Sequence, residues 1–298
     1  MVDVIIIGAG PAGLNAALVL GRSRKSTIIF DDDRPRNAVT QESHGFITRD
    51  GTSPKEFRQL GRQELKQYPT ITIKNEHIQS VQKMDNVFHV TSVTGVTYRS
   101  KKVILATGLK DVLPSVPKIQ EYYGRSLFVC PFCDGWELRD QPLAIISEEP
   151  SSTHMVQMLF NWSRDLALFT NGRPLKPELK EEMQRKGIPF YEQIISELKG
   201  IHGQLEAVIL PDGTAVKRSG GFIGVQQKQA SDFAQQLGCQ MNEMGAIQTD
   251  DFGRTTISGL FACGDTSYIA PSQLIIAAAD GSKAAIGIVA DMLVESDS

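Results

Sequence analysis

The 298-residue chain is long enough for about two domains of ~100–200 residues. With 41% hydrophobic and 22% charged residues and a net charge of −3, it lacks the basic excess that a nucleic-acid or anionic-membrane partner requires. No apolar run approaches the ~20 residues of a membrane helix, and Met1-Val2-Asp3 runs into a strand without a basic n-region or cleavage site. No membrane partner and a cytoplasmic location are therefore expected, and in a reducing compartment a close cysteine pair is catalytic or metal-binding rather than structural.

Val2–Ile7 is a nearly continuous apolar, β-branched run, the pattern of a strand buried on both faces of a parallel sheet. It passes straight into Gly8-Ala9-Gly10-Pro11-Ala12-Gly13 and a helical segment from Leu14 to Gly21. Glycines in that spacing permit a tight turn, approach of backbone to a pyrophosphate and close helix–strand packing. The helix start adds N–H donors for the phosphates. Gly8, Gly10, Pro11, Ala12 and Gly13 are thus expected to bind a dinucleotide. A second strand, Thr27–Phe30, ends in Asp31, placed to accept hydrogen bonds from an adenosine ribose; Asp32 and Asp33 read as a solvated turn.

A loop follows that contains His44, which reads equally as flavin-adjacent or as an unremarkable loop residue, and then a helix is expected from about Ser53 to Tyr68. Strands follow at Ile71–Lys74, His77–Val81, Phe88–Val93 and Val96–Tyr98. A separate buried strand begins at Lys101 and ends in Ala106-Thr107-Gly108, a small-residue turn that lets backbone meet a ligand.

Cys130-Pro131-Phe132-Cys133-Asp134-Gly135 presents two thiols two residues apart, spaced to close into a reversible disulfide. A lone CxxC is also half of a zinc site. The other cysteines, Cys239 and Cys263, form no second CxxC, and no paired histidines accompany them. Asp134 has two readings: a carboxyl that protonates a leaving thiolate, or the N-cap of a following helix.

After the cysteines, Pro142–Ile146 reads as a strand and Thr153–Trp162 as a helix, the frame of a second nucleotide unit. Its turn is Ser147-Glu148-Glu149-Pro150-Ser151-Ser152, without the glycines. Carboxylates within ~5 Å of a pyrophosphate cost on the order of several kcal/mol at an effective dielectric near 20. A helix dipole contributes only ~0.3–1 kcal/mol. Leu166–Phe169 then leads into Thr170-Asn171-Gly172-Arg173, with one arginine for a 2′-phosphate. Binding of a second dinucleotide in the usual mode is not expected. Lys176–Lys186 reads as a charged helix, and Ile194–Gly200, Leu205–Leu210 and Phe222–Val225 as strands.

GAGPAG at 8–13, ILATG at 104–108, CPFCDG at 130–135 and GLFACGD at 259–265 stand in the order and spacing of the low-molecular-weight thioredoxin reductases, which the whole chain resembles. The resemblance implies an α/β protein with two Rossmann-like, three-layer ββα nucleotide-binding domains, the second inserted into the first. An FAD domain would span 1–112 and 226–298, and an insert carrying the CxxC 113–225. It further implies a homodimer, FAD contacts from Gly264 and Asp265, and Gln273 beside the isoalloxazine. Cys133 would face the flavin and Cys130 would exchange with a disulfide-bearing substrate, a thioredoxin-like protein or a small disulfide. The lost glycines resemble those of relatives fed by a ferredoxin-type donor. Dithiol oxidases resemble the chain at 34–51 and Gly135-Trp136-Glu137, but usually carry His where Asp134 stands. A non-enzymatic FAD-binding redox sensor is a third reading.

Overall fold

A computed structural model of the chain describes residues 1–148 and 152–296; the side chains of Ser152 and Thr153 lie outside that description. The chain forms two compact units. Met1–Ala38, Gly45–Lys110 and Gln227–Ser298 make the first, and Val39–His44 with Asp111–Gln226 the second. The stretch Val39–His44 thus groups with the second unit, although it lies within the sequence span expected for the first.

In chain order the first unit holds β1 (Val2–Ile7), α1 (Pro11–Arg22), β2 (Thr27–Phe30), α2 (Pro54–Leu65), β3 (Ile71–Lys74), β4 (Ile78–Met84), β5 (Val87–Ser92) and β6 (Thr97–Leu105). β7 (Leu109–Val112) leads out of it. The second unit continues with α3 (Ile119–Tyr122), β8 (Leu127–Phe128), α4 (Pro131–Asp134), β9 (Leu143–Ile146), α5 (Ser152–Leu159) and β10 (Leu166–Phe169). Then come α6 (Pro177–Arg185), β11 (Phe190–Tyr191), β12 (Glu197–Ile201), β13 (Gln204–Ile209), β14 (Ala215–Lys217) and β15 (Gly220–Ile223). β16 (Gln226–Gln229) pairs with β7, and α7 (Phe233–Gln236), β17 (Leu260–Ala262) and α8 (Leu274–Ser296) complete the first unit.

The first unit's sheet runs β3-β2-β1-β6-β5-β4, with β17 also on β6. β1, β2, β3, β6 and β17 are parallel, whereas β4 and β5 are antiparallel additions. Alternate residues of β1 feed two cores. Val4 and Ile6 pack with Leu14, Ala17 and Leu20 of α1 and with Ala284 and Ile288 of α8. Ile5 and Ile7 pack with Phe30, Phe88, Val90 and Leu105. Burying each of the Val, Leu, Ile and Phe side chains contributes about 1.5–3 kcal/mol. The two expected strands at Val96–Tyr98 and Lys101 onward are one strand, β6. Its polar middle is tolerated because Ser100 Oγ donates to the Lys102 carbonyl at 2.9 Å and the buried Lys102 ammonium reaches Glu295.

The second unit has a parallel sheet, β11-β10-β9-β15-β8, and an antiparallel one, β12-β13-β14. Ala144 and Ile146 of β9 face Leu198, Leu205 and Val208 of the small sheet. Leu143 and Ile145 face Val156, Leu159, Leu179 and Met183 of the helices. That alternation produces three layers, and each unit is an α/β Rossmann-like fold. Among the described residues, no helix is long and apolar enough to cross a membrane.

α1 and α8 touch backbone to backbone. A Cβ at Gly281 would strike the Ala12 carbonyl oxygen and lie 2.8 Å from its carbon. Gly281→Ala is expected to cost about 3 kcal/mol, read as a lowered denaturant midpoint.

Candidate active site

The first unit gathers its glycine-lined turns at the C-terminal ends of β1, β6 and β17. Gly8 sits at φ +108°, where only glycine is unstrained, and any Cβ there would collide with the Ala106 carbonyl. A Cβ at Gly13 would strike the Gly8 carbonyl, so this glycine serves helix–strand packing. Gly10 and Gly108, by contrast, have nothing within 4 Å of where a Cβ would stand and face open space. Gly10 is the N-cap of α1 and Pro11 opens the helix; no side chain caps it, so the first-turn N–H groups, Ala12 and Gly13 included, are available to an anion.

Around this cradle stand the other expected residues. Both arginines of α2 address one oxygen of Asp31: Arg62, and Arg58 at 3.5 Å from Oδ2. The acid turn that follows is not simply solvated, since Arg58 Nη1 also donates to Asp33 Oδ1 at 2.5 Å and Asp32 meets His77 at 2.9 Å. Asp265 accepts from Arg36 Nη2 at 2.7 Å. Thr107 is fixed by the Ser231 hydroxyl, which donates to its Oγ1 at 3.2 Å. Gly264 takes φ +73° directly after Cys263, and Gln273 immediately precedes α8, its carbonyl accepting from the Ala277 N–H at 3.0 Å.

In the second unit Cys130 and Cys133 form a disulfide with Cα atoms 5.3 Å apart. Cys130 occupies the N-cap position of the one-turn α4, and its carbonyl accepts from the N–H groups of Cys133 and Asp134, both at 3.1 Å. Pro131 at the first helical position fixes the turn. Gly135 lets the turn settle on Trp162: a Cβ there would lie 2.8 Å from the indole, which also meets the Phe132 ring edge-on at 5.5 Å.

Asp134 closes α4, and turns rather than a helix follow it. The N-cap reading therefore fails, because there is no helix for the carboxylate to cap. Burial pushes its carboxyl up to about 7; the negative charge of Glu137 adds to the rise, and a positive charge on His44 opposes it. A carboxyl at that value can hold a proton or release it near neutrality. The other two cysteines are free and buried. Burial raises both thiols, Cys263 far more than Cys239, which leaves them protonated and inert.

At the end of β9 the second unit places Ser147, which is buried, and Glu148. Asn171, after β10, donates through Nδ2 to Glu148 Oε1 at 2.6 Å and accepts from the Ile195 N–H at 3.0 Å. A Cβ on Gly224 would lie 2.5 Å from Ser147 Oγ. Arg173 is exposed. The rest of the expected turn, Glu149 to Ser151, lies outside the described residues.

Two features escaped sequence reasoning. His44 stands 3.7 Å from Glu137 Oε1, a pairing across distant sequence for which no motif exists. The anchoring of the cysteine turn on Trp162 likewise left no signal beyond the glycine at 135.

The family model of pyridine nucleotide-disulphide oxidoreductases matches residues 2–156 and 163–281. The crystal structure of TrxB from Bacillus anthracis has a TM-score of 0.97 at 44% identity, covering 99% of this chain and 100% of that one. Thioredoxin reductase from Streptococcus pyogenes MGAS5005 reaches 0.90 at 26% identity, over 99% of each chain. Thioredoxin reductase sirT of Leptosphaeria maculans is 33% identical over 304 residues, 96% of this chain and 93% of its own. The chain is therefore an oxidoreductase that belongs to the pyridine nucleotide-disulphide oxidoreductase family, of the low-molecular-weight thioredoxin reductase type.

Proposed function

We propose that the protein is an FAD-dependent thiol–disulfide oxidoreductase that reduces a disulfide through Cys130 and Cys133, with an electron donor other than NADPH, such as a ferredoxin. The observation that carries this reading is the Cys130–Cys133 disulfide with a carboxyl, Asp134, directly behind it and pushed up to about 7. The substrate is a thioredoxin-like protein or a small disulfide, and the working form a cytoplasmic homodimer.

The N-terminal cradle fits FAD. Its pyrophosphate would meet Gly8, Gly10, Pro11, Ala12 and Gly13, where the uncapped start of α1 and the open space at Gly10 suit an anion. Asp31 would accept from the ribose through Oδ1, since both arginines address Oδ2. Ala106, Thr107 and Gly108 would line the cofactor with backbone, Gly264 and Asp265 would hold the ribityl chain, and Gln273 the ring. Bound there, FAD supplies a two-electron couple for the cysteine pair. By the family resemblance Cys133 would be the flavin-side sulfur and Cys130 the one that attacks the substrate, with Asp134 protonating the departing thiolate.

The described part of the second turn does not fit a dinucleotide pyrophosphate. Ser147 stands where a glycine is expected, and the carboxylate beside it, Glu148, is held by Asn171 across the end of β10. Anaerobic titration of the flavin spectrum tests both halves of the reading. Reduced ferredoxin and dithiothreitol are expected to bleach the flavin, and NADPH and NADH to leave it oxidised. Fast stoichiometric bleaching by NADPH would overturn the donor assignment, and a protein isolated without flavin the whole proposal.

A second reading, a dithiol oxidase passing electrons from a small dithiol through FAD to oxygen, draws on one observation. The two stretches resembling those enzymes meet, His44 against Glu137. It requires hydrogen peroxide release on addition of a dithiol in air, and no peroxide would exclude it.

A further inference from the structure

His44 lies in the short stretch Val39–His44 that belongs with the second unit. The stretch is pinned at its start, where the Val39 carbonyl packs so close to Gly124 that a Cβ there would lie 2.6 Å away. At its end the imidazole is only 17% exposed, with Nε2 3.6 Å from Glu42 Oε2 and 3.7 Å from Glu137 Oε1. Glu137 sits one turn beyond Asp134 on the same segment. Arg139, the nearest cation in sequence, is turned elsewhere: its Nη1 donates to the Trp136 carbonyl at 2.6 Å and its guanidinium stacks 4.1 Å over the indole. The charges acting on Asp134 are those of Glu137 and His44, with opposite signs.

We infer that His44 is a positioning residue for the proton chemistry of the cysteine pair, acting with Glu137 and Glu42 to set the charge that the Asp134 carboxyl meets. This rests on the disulfide-exchange reading above. In that exchange Cys130 passes its thiol proton to the Asp134 carboxylate and, as the thiolate, attacks one sulfur of the substrate. A new S–S bond forms, the substrate S–S bond breaks, and the departing thiolate takes the Asp134 proton. Cys133 then attacks the Cys130 sulfur, its own proton passes to the Asp134 carboxylate, and the second substrate thiolate leaves with it. Two electrons move from the cysteine pair to the substrate, and both protons originate on the cysteine thiols. Asp134 must therefore gain and lose a proton within each turnover. An enclosed imidazole against the Glu137 carboxylate offsets the charge that would otherwise hold the proton on Asp134.

The test is the pH profile of iodoacetamide alkylation of the dithiothreitol-reduced FAD protein. Wild type is expected to show an inflection near pH 7 from Asp134, and Asp134→Asn to lose it. His44→Gln removes the charge that favours the carboxylate, so the inflection should move up by at least about half a unit. His44→Lys, which restores a positive charge, should bring it back. In the Asp134→Asn background, His44→Gln should change nothing. Coincident wild-type and His44→Gln profiles would overturn the inference, as would an equal change on adding His44→Gln to the Asp134→Asn protein. Should the glutamine variant fail to fold, an upward move in His44→Lys overturns it instead. The profile needs no substrate, so absence of turnover with every disulfide would remove the functional reading and leave this result standing apart.

Discussion

Replacing Cys133 by serine is expected to convert the protein from a catalyst into a trap. Cys130 retains its thiol and its place at the head of α4, so it can still attack a substrate disulfide. The resulting mixed disulfide has no second sulfur within reach to resolve it, because Cys239 and Cys263 are buried and held protonated. Turnover should fall by roughly 10³-fold or more, as for loss of other covalent nucleophiles. FAD should stay bound, since the expected cofactor residues all lie in the first unit and Cys133 in the second. Intact-mass analysis after incubation with a small disulfide checks the outcome: one substrate half should be found on the Cys133→Ser protein and none on Cys130→Ser. Labelling of the Cys130→Ser protein alone would exchange the two roles. Unchanged turnover in Cys133→Ser would take the pair out of the mechanism.

The parts of this molecule legible in its sequence are those whose physics is local. β1 and β2 declare themselves because short runs rich in β-branched residues, interrupted in β1 by Asp3, suit a strand of a buried parallel sheet, and each opens into glycine or acid as the chain leaves the sheet. The disulfide is local too, since three residues of separation bring the Cα atoms to 5.3 Å without help from the rest of the fold. β6 is harder, because Arg99 to Lys102 reads as a polar break. The strand accommodates it through the Ser100 hydroxyl, which donates to the Lys102 carbonyl, and through Glu295, at the far end of the chain, which receives the Lys102 ammonium. The same holds at the second nucleotide turn: missing glycines are visible in the sequence, but the Asn171 amide that fastens Glu148 is not. His44 shows the limit most clearly. Its sequence neighbours describe a loop, and only the path of Val39–His44 into the second unit gives it Glu137 as a partner.

Asp134→Asn should show why a carboxyl kept in an unfavourable place is worth having. The side chain titrates at about 7 in the folded protein against an ordinary value of 3.8, with burial the main cause. A carboxyl raised in this way binds its proton more tightly folded than unfolded. Below about pH 4 both states are protonated and nothing is lost; as pH rises to 7 the unfolded chain ionises first, and stability declines. Above about pH 7 the penalty is constant. The full shift corresponds to about 4 kcal/mol, and partial exposure and neighbouring charge reduce this to about 2 kcal/mol. Asparagine, which carries no charge, escapes the penalty. The variant should therefore match wild type in acid and exceed it by about 2 kcal/mol near pH 8, measured as the denaturant midpoint of the oxidised FAD protein. Its disulfide turnover should move the other way, falling about 10²-fold below about pH 7 and losing the decline that wild type shows above it. A variant destabilised at every pH would mean that Asp134 is a structural hydrogen-bonding group. A more stable, slower and pH-insensitive enzyme is the result that identifies a strained carboxyl retained for proton transfer.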